Sequence, residues 1–469
     1  MALPPSRNSP ALPRGAYGLA ATYYGDDFTG STDVMEACVR SGLEAVLFLE
    51  PPTPQQVEAL GAVDVIGVAG LSRSWSPEEM DRELPGIFTG LKALGAPLFH
   101  YKICSTFDSS PRVGSIGRAM EIARQVFGPH PIPLIVGAPI LKRYTAFGTL
   151  YATADGVTYR IDRHPTMAHH PVTPMSEADL RVHLSDQTTL PGVLIDILAL
   201  SQPRAFVDDL VDSELSADPG YVLFDVLDSA SLGETGRQLL RLVSRRWAEQ
   251  QATTVAVGSS GVEYALAEQG AGAGVAAGEL PTLSPAPTLV VVGSRSPVTA
   301  AQTAYAIENG FVEVAIDPAE FIADPERRAD YRAELVERIG ALVAQGVNTV
   351  VTTPPTRADV PIEGNALGRE LSFIVSEVCK RGLPGRLVVA GGDTSGHVAR
   401  GIGVMNLRVA TLLAPGSPLC RAGLVDTPGQ TLELCLKGGQ VGPRDYFVRL
   451  AGASVVHTTT TPPHERARK

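Results

Sequence analysis

The stretch LAATYYGDDFTGSTD, residues 19–33, decides the fold. Its first half is a short apolar run, which predicts a buried strand over 19–24. Small, hydroxylated and acidic residues follow, then an amphipathic stretch, 33–41, with Gly42 as its stop. A strand that passes through a tight turn into a helix is the repeating unit of α/β folds. In open sheets of this kind ligands gather beyond the carboxyl ends of the strands. Asp26 and Asp27 are therefore expected at the rim of a site, with Ser31 or Thr32 capping the helix. A turn with an acidic N-cap explains one aspartate without any function. It explains an adjacent pair less well.

The same rhythm runs outward from this stretch. Strands are predicted over 45–49, 65–69, 134–136, 221–225 and 254–257, and helices over 77–94 and 115–127. It then breaks at QGAGAGVAAGELPTLSPAP, residues 269–287, which is Gly/Ala-rich, then Pro-rich, and reads as a linker. Beyond it, strands are predicted over 289–292, 313–316, 349–352, 387–390 and 409–413, alternating with helices. The expected architecture is two α/β domains with largely parallel sheets, residues 17–268 and 288–456, and a ligand site in the cleft between them. The ends, 1–16 and 457–469, read as disordered.

Composition narrows the function. The 469 residues carry a net charge of -11 with no dense Lys/Arg block, which argues against a nucleic-acid partner. Five cysteines without a C-x-x-C pair argue against a disulfide framework or a structural zinc. No transmembrane-length apolar run or signal peptide is seen, so a cytoplasmic protein without a membrane partner is expected. A homo-oligomer stays open.

Further motifs sit at strand ends. YKICSTFDSS, residues 101–110, offers Lys102, Ser105 and Thr106, which suit a ligand bearing hydroxyls and a carboxylate; in isolation a Ser/Asp-rich turn is the better reading. GAPILKRYTAFGTLY, residues 137–151, offers Lys142 and Arg143 to an anion. His164, His169 and His170 lie in a proline-bearing segment that reads better as a loop near the substrate than as a metal site. After the linker come three glycine-rich turns, with Ser294 and Ser296 in the first, Gly391, Gly392, Asp393, Thr394 and Ser395 in the second, and Gly438 and Gly439 in the third. Glycines let backbone N–H groups approach phosphates. Neither G-x-x-x-x-G-K-[ST] nor G-x-G-x-x-G is present.

These motifs, taken in order, resemble the four-carbon acid sugar kinases. GDDFTGSTD is similar to that family's N-terminal signature, and GSRSPVTAAQ, AGGDTSG and LKGGQVGPRDYF to its nucleotide-domain signatures; HPVTPM also matches. The resemblance implies transfer of the ATP γ-phosphate, with Mg²⁺, to a terminal hydroxyl of a small sugar acid. It implies Asp27 or Asp26 as general base, with Asp27 the first choice. Lys102, Ser105, Thr106 and Arg143 would bind the acid, and the serines, Thr394, Asp393 and glycines of the three turns would hold ATP. The metal ligands stay unknown. Cys104 and Asp108 depart from the threonate and erythronate pattern and look more like the 3-oxo-tetronate and 3-oxo-isoapionate branch. A nucleotide-dependent dehydrogenase and a non-catalytic sugar-acid sensor are the alternatives.

Overall fold

A computed structural model describes residues 12–270, 282–321, 325–353, 364–414, 416–425 and 430–452. The predicted tail 457–469, most of the predicted tail 1–16 and the centre of the predicted linker lie outside these residues. Residues 12–16 are in place: the Gly15 N–H donates to the Leu19 carbonyl at 2.8 Å, and the Ala16 N–H to that of Gly95. Among the described residues no helix is long and apolar enough to cross a membrane.

In chain order the strands are β1 (Ala21–Gly25), β2 (Ala45–Phe48), β3 (Val65–Ala69), β4 (Leu98–Lys102), β5 (Ile132–Ile135), β6 (Arg143–Ala146), β7 (Thr149–Ala154), β8 (Val157–Arg160) and β9 (Gly192–Ile195). Then come β10 (Tyr221–Phe224), β11 (Thr254–Gly258), β12 (Thr288–Val292), β13 (Val312–Ala315), β14 (Thr349–Thr352), β15 (Arg386–Ala390), β16 (Val404–Ala414), β17 (Ser417–Leu424) and β18 (Thr431–Lys437). Two compact units divide them. The first holds the described residues up to 270 and those of Ile402–Thr431; the second holds the rest.

The first unit is a sheet ordered β17-β16-β2-β3-β1-β4-β11-β5-β10-β9. From β2 onward every pairing is parallel. Strands β1–β5, β10 and β11 are short and buried on both faces, as a sheet covered by helices on each side requires. Tyr24, Phe88, Phe99, Tyr101 and Phe127 pack edge-to-face and stacked at its centre. Beside it, β6, β7 and β8 form a small antiparallel sheet that the sequence reading missed. Only β7 alternates half-buried and buried residues, and β8 is mostly exposed, a weaker signal than a continuous apolar run.

The second unit is an all-parallel sheet ordered β13-β14-β12-β15-β18. Expectation and structure part at Ile402–Thr431. That segment was assigned to the second domain, yet its hairpin joins the first unit. Asn406, Leu407 and Arg408 pair antiparallel with Phe48, Leu47 and Val46 of β2. The hairpin gives β2 backbone partners that an edge strand would otherwise leave to solvent.

Candidate active site

In the first unit, neighbouring strands β3, β1 and β4 end side by side, and each delivers charge. Past β1 the helix Phe28–Arg40 begins at once, one turn earlier than expected. Its cap is Asp27, not Ser31 or Thr32: Asp27 Oδ1 accepts the Gly30 N–H at 2.7 Å and Oδ2 the Thr29 hydroxyl at 2.8 Å. The Ser31 and Thr32 hydroxyls instead donate to the Asp27 and Thr29 carbonyls within the helix. One aspartate thus has the structural task of a helix cap, and Asp26 does not.

Past β3 comes Arg73, which the sequence reading did not single out. Its guanidinium grips both carboxylates. Nη2 and Nε reach the two oxygens of Asp26 at 2.7 and 3.1 Å, and Nη1 and Nη2 reach those of Asp27 at 2.9 and 3.0 Å. No pattern in the sequence marks it; the parallel pairing of β3 with β1 brings its turn close. At the end of β4, Lys102 is buried, and its ammonium has no hydrogen-bond partner among the described residues. A β-carbon at Gly30 would stand 2.5 Å from Asp27 Oδ1 and 3.0 Å from Lys102 Nζ, which places the two side by side.

The aspartates differ electrostatically. Burial dominates at Asp26 and pushes its carboxyl above the usual range, Arg73 opposing and Asp27 assisting. Burial also acts to raise Asp27, but Arg73, Lys102, the Thr29 hydroxyl and the Gly30 N–H together hold it below that range. Asp26 is therefore the stronger proton acceptor of the two.

The loop after β4 folds on itself. Thr106 donates to Asp108 and contacts Cys104 Sγ at 2.9 Å, so its hydroxyl is already engaged. Phe107 takes a left-handed φ of 60° to make the turn. Ser105 is half-buried without a side-chain bond among the described residues. Burial, reinforced by the Asp108 charge, pushes the Cys104 thiol up to about 11, so it is a neutral group at this rim. Lys142 is exposed. Arg143 beside it is half-buried, has no acidic partner among the described residues, and returns Nη1 to the Leu141 and Lys142 carbonyls. Burial lowers its affinity for the proton, with the Cys104 thiol the first group to oppose this.

In the second unit, neighbouring β12, β15 and β18 end in the three glycine-rich turns, which pack on one another. A β-carbon at Gly293 would stand 2.0 Å from Thr394 Oγ1, and one at Gly439 would stand 2.3 Å from Ser294 Oγ. Gly391 has φ of 127°, and its N–H donates to the Lys437 carbonyl. Ser296 caps the helix Pro297–Glu308, and Gly392 opens the helix Gly392–Gly401. Gly438 and Gly439 follow β18 directly. Ser395 is fully buried, with its hydroxyl turned back to Val389. The side chain of Asp393 lies outside what the structure describes. Lys437, also missed in the sequence, is fully buried behind the last turn. Its ammonium donates to Thr299 Oγ1 at 3.1 Å, which in turn donates to the Gly439 carbonyl at 2.7 Å. Burial lowers Lys437 to about 8. Backbone N–H groups, two helix starts and hydroxyls gathered beyond parallel strands are what phosphate groups require.

The comparisons also find two domains, and the second match, unlike the second compact unit, includes Ile402–Thr431. Residues 21–266 match a sugar-binding N-terminal domain, and residues 289–447 a nucleotide-binding C-terminal domain. The chain is 42% identical over 460 aligned positions to the 3-oxo-isoapionate kinase of Paraburkholderia graminis, covering 93% of this chain and 96% of that one. It is 27% identical over 438 positions to the 3-oxo-tetronate kinase of Cupriavidus necator, covering 90% and 94%. A solved Salmonella typhimurium LT2 structure, described as a putative tRNA synthase, superposes with a TM-score of 0.74 at 23% identity, over 92% of this chain and 98% of its own; that likeness speaks to the fold alone. The two domain matches, in this order, and the relative at 42% identity show that the chain belongs to the four-carbon acid sugar kinases, a family of phosphotransferases.

Proposed function

We propose that this kinase phosphorylates a hydroxyl of a small 3-oxo sugar acid with ATP, and that 3-oxo-isoapionate, the acid of its relative at 42% identity, is its substrate. The observation that carries the reading is Lys102 beside the two aspartates, with Arg143 near the Cys104 thiol of the loop that follows. Lys102 is buried without a hydrogen-bond partner, and Arg143 is half-buried without an acidic one, among the described residues. Arg143 Nε is buried without a partner among the described residues, and an anionic ligand relieves such a donor.

Phosphoryl transfer asks the protein mainly for positioning and charge stabilisation. In this account Asp26 accepts the proton of the acceptor hydroxyl, while Asp27 holds the helix start and keeps Arg73 in place. Lys102 and Arg143 bind the acid, with Ser105 and Thr106 lining the same loop. Ser294, Ser296, Gly391, Gly392, Thr394, Gly438 and Gly439 carry the ATP phosphates. Both aspartates are engaged with Arg73, and no group of three or more His, Cys, Asp or Glu among the described residues is placed to hold an ion. That donor set fits Mg²⁺ arriving with the nucleotide, its charge offsetting that of the phosphates.

ADP release measured across 3-oxo-isoapionate, 3-oxo-tetronate, threonate, erythronate and neutral sugars tests the reading. The 3-oxo acids should lead by at least about tenfold in kcat/KM, a gap of some 1.4 kcal/mol in transition-state binding. Turnover confined to neutral sugars, or none with any acid, would refute it.

A further inference from the structure

His164 has a side chain that the fold leaves half used. It is 6% exposed, and Nε2 is buried without a hydrogen-bond partner among the described residues. Nδ1 accepts the backbone N–H groups of Thr166 and Met167, at 3.2 and 3.3 Å. A ring nitrogen that accepts carries no proton, so the neutral ring bears its proton on Nε2. The orphan atom is therefore a donor, and one left unpaired in a buried place is costly. Burial and then the nearby Arg143 charge hold the ring in this neutral form.

Arg143 presents the matching deficit. Nη1 turns back to two backbone carbonyls, and Nε is buried without a partner among the described residues. What remains is the Nε–Nη2 edge, the side of a guanidinium that meets a carboxylate with two parallel bonds. The small antiparallel sheet brings the two residues together. Arg143 of β6 stands opposite Ala152 of β7, which stands opposite Tyr159 of β8. Directly opposed residues share a face, which sets the short side chain of Ala152 between its two longer neighbours. The Tyr159 ring in turn lies edge-on to His164 at 6.1 Å between centroids.

We infer that the Nε–Nη2 edge of Arg143 and the Nε2–H of His164 form the subsite that holds the carboxylate of the sugar acid. The inference rests on the kinase reading above and adds to it a specificity residue, His164, from the proline-bearing loop expected near the substrate. Lys102 and the aspartates, which lie with Arg73 on the β4 side of Cys104, then face the hydroxyl end of the acid. The small sheet, absent from the sequence-based picture, acquires a purpose as the carrier of this clamp.

The test is kinetic and uses the whole enzyme with saturating ATP. In His164→Asn the amide oxygen takes the place of Nδ1 and keeps the two backbone bonds, while the Nε2 donor is lost. Arg143→Lys keeps the charge and loses the two-bond edge. Each is assayed with 3-oxo-isoapionate and with its primary amide, which has the same shape and no charge. Each variant should raise KM for the acid about tenfold or more, leave kcat within about threefold, and leave kcat/KM for the amide nearly unchanged. Equal losses for acid and amide, or an unaltered KM for the acid in either variant, overturns the subsite. Should His164→Asn fail to fold, Arg143→Lys decides by the same criterion. A wild-type enzyme that turns over no acid refutes the substrate reading itself. A wild type that turns over the acid beside unaffected variants refutes only the clamp.

Discussion

Asp26 and Asp27 are adjacent in sequence and different in work. Strand alternation suggests that their side chains diverge, yet both lie past the end of β1 with their carboxylates on Arg73, and how their roles divide was not legible. Asp27 was the first choice as base because it lies nearer the loop. The structure gives it four donors and a lowered pKa, which suits a cap and a charge anchor, whereas Asp26 has only Arg73 and a raised one. Arg73 itself went unread because SRSW has no pattern and only the parallel pairing of β3 with β1 brings it near. Asp26→Asn should therefore lower kcat by about 10²–10⁴ with little change in ATP affinity. Asp27→Asn, whose amide still caps the helix, should lose distinctly less. Steady-state kinetics and nucleotide titration on both variants check this, and a larger loss at Asp27 would return the base to that residue.

Elements that run from a buried strand through a glycine turn to a capped helix were readable, because their signal is local. The helix Pro77–Ala93, for example, opens with a Ser76–Glu79 capping box and Pro77 at its first position. The small sheet β6–β8 was not readable, since half-buried strands lack that contrast. Two predictions belong at this scale. Gly293→Ala would set a β-carbon against Thr394 Oγ1 and spread two of the phosphate turns. ATP affinity should fall about tenfold or more while calorimetric binding of the acid is kept; an unchanged ATP affinity would place the nucleotide elsewhere. The second concerns His130, buried between the Gly128 carbonyl, to which Nδ1 donates, and the Val255 N–H, which donates to Nε2. Burial lowers its pKa to about 4. Unfolded chains take up the proton below about 6.5, so stability present above that pH is lost as pH falls from about 6.5 to 4, by up to about 3 kcal/mol. His130→Gln should flatten the dependence of Tm on pH in that window. An equally steep profile in the variant would contradict it.

For the whole molecule, two α/β units were legible and the path between them was not. The described chain leaves the first unit at 270, enters the second at 282, and returns through Ile402–Thr431 before crossing again. No composition shift marks that return; it is decided by β2 needing a neighbour. Glu36, buried in the helix Phe28–Arg40, holds the hairpin by accepting the Gly416 N–H at 2.7 Å. Glu36→Ala leaves that donor unpaired, and hydrogen exchange should quicken along β16 and β17 and not in β12 or β15. Equal quickening in both sheets would show that the hairpin is not tied to the first unit.

The central claim is that phosphate moves from ATP to a small oxo acid on this chain. Phosphorus NMR of a reaction containing the enzyme, Mg²⁺, ATP and 3-oxo-isoapionate observes that event directly. The account predicts loss of the γ-phosphate signal matched by a new phosphate-ester resonance, coupled to the protons on the carbon of the acid that bears the ester oxygen. Release of inorganic phosphate alone, or an unaltered ATP spectrum with every acid tried, would contradict it.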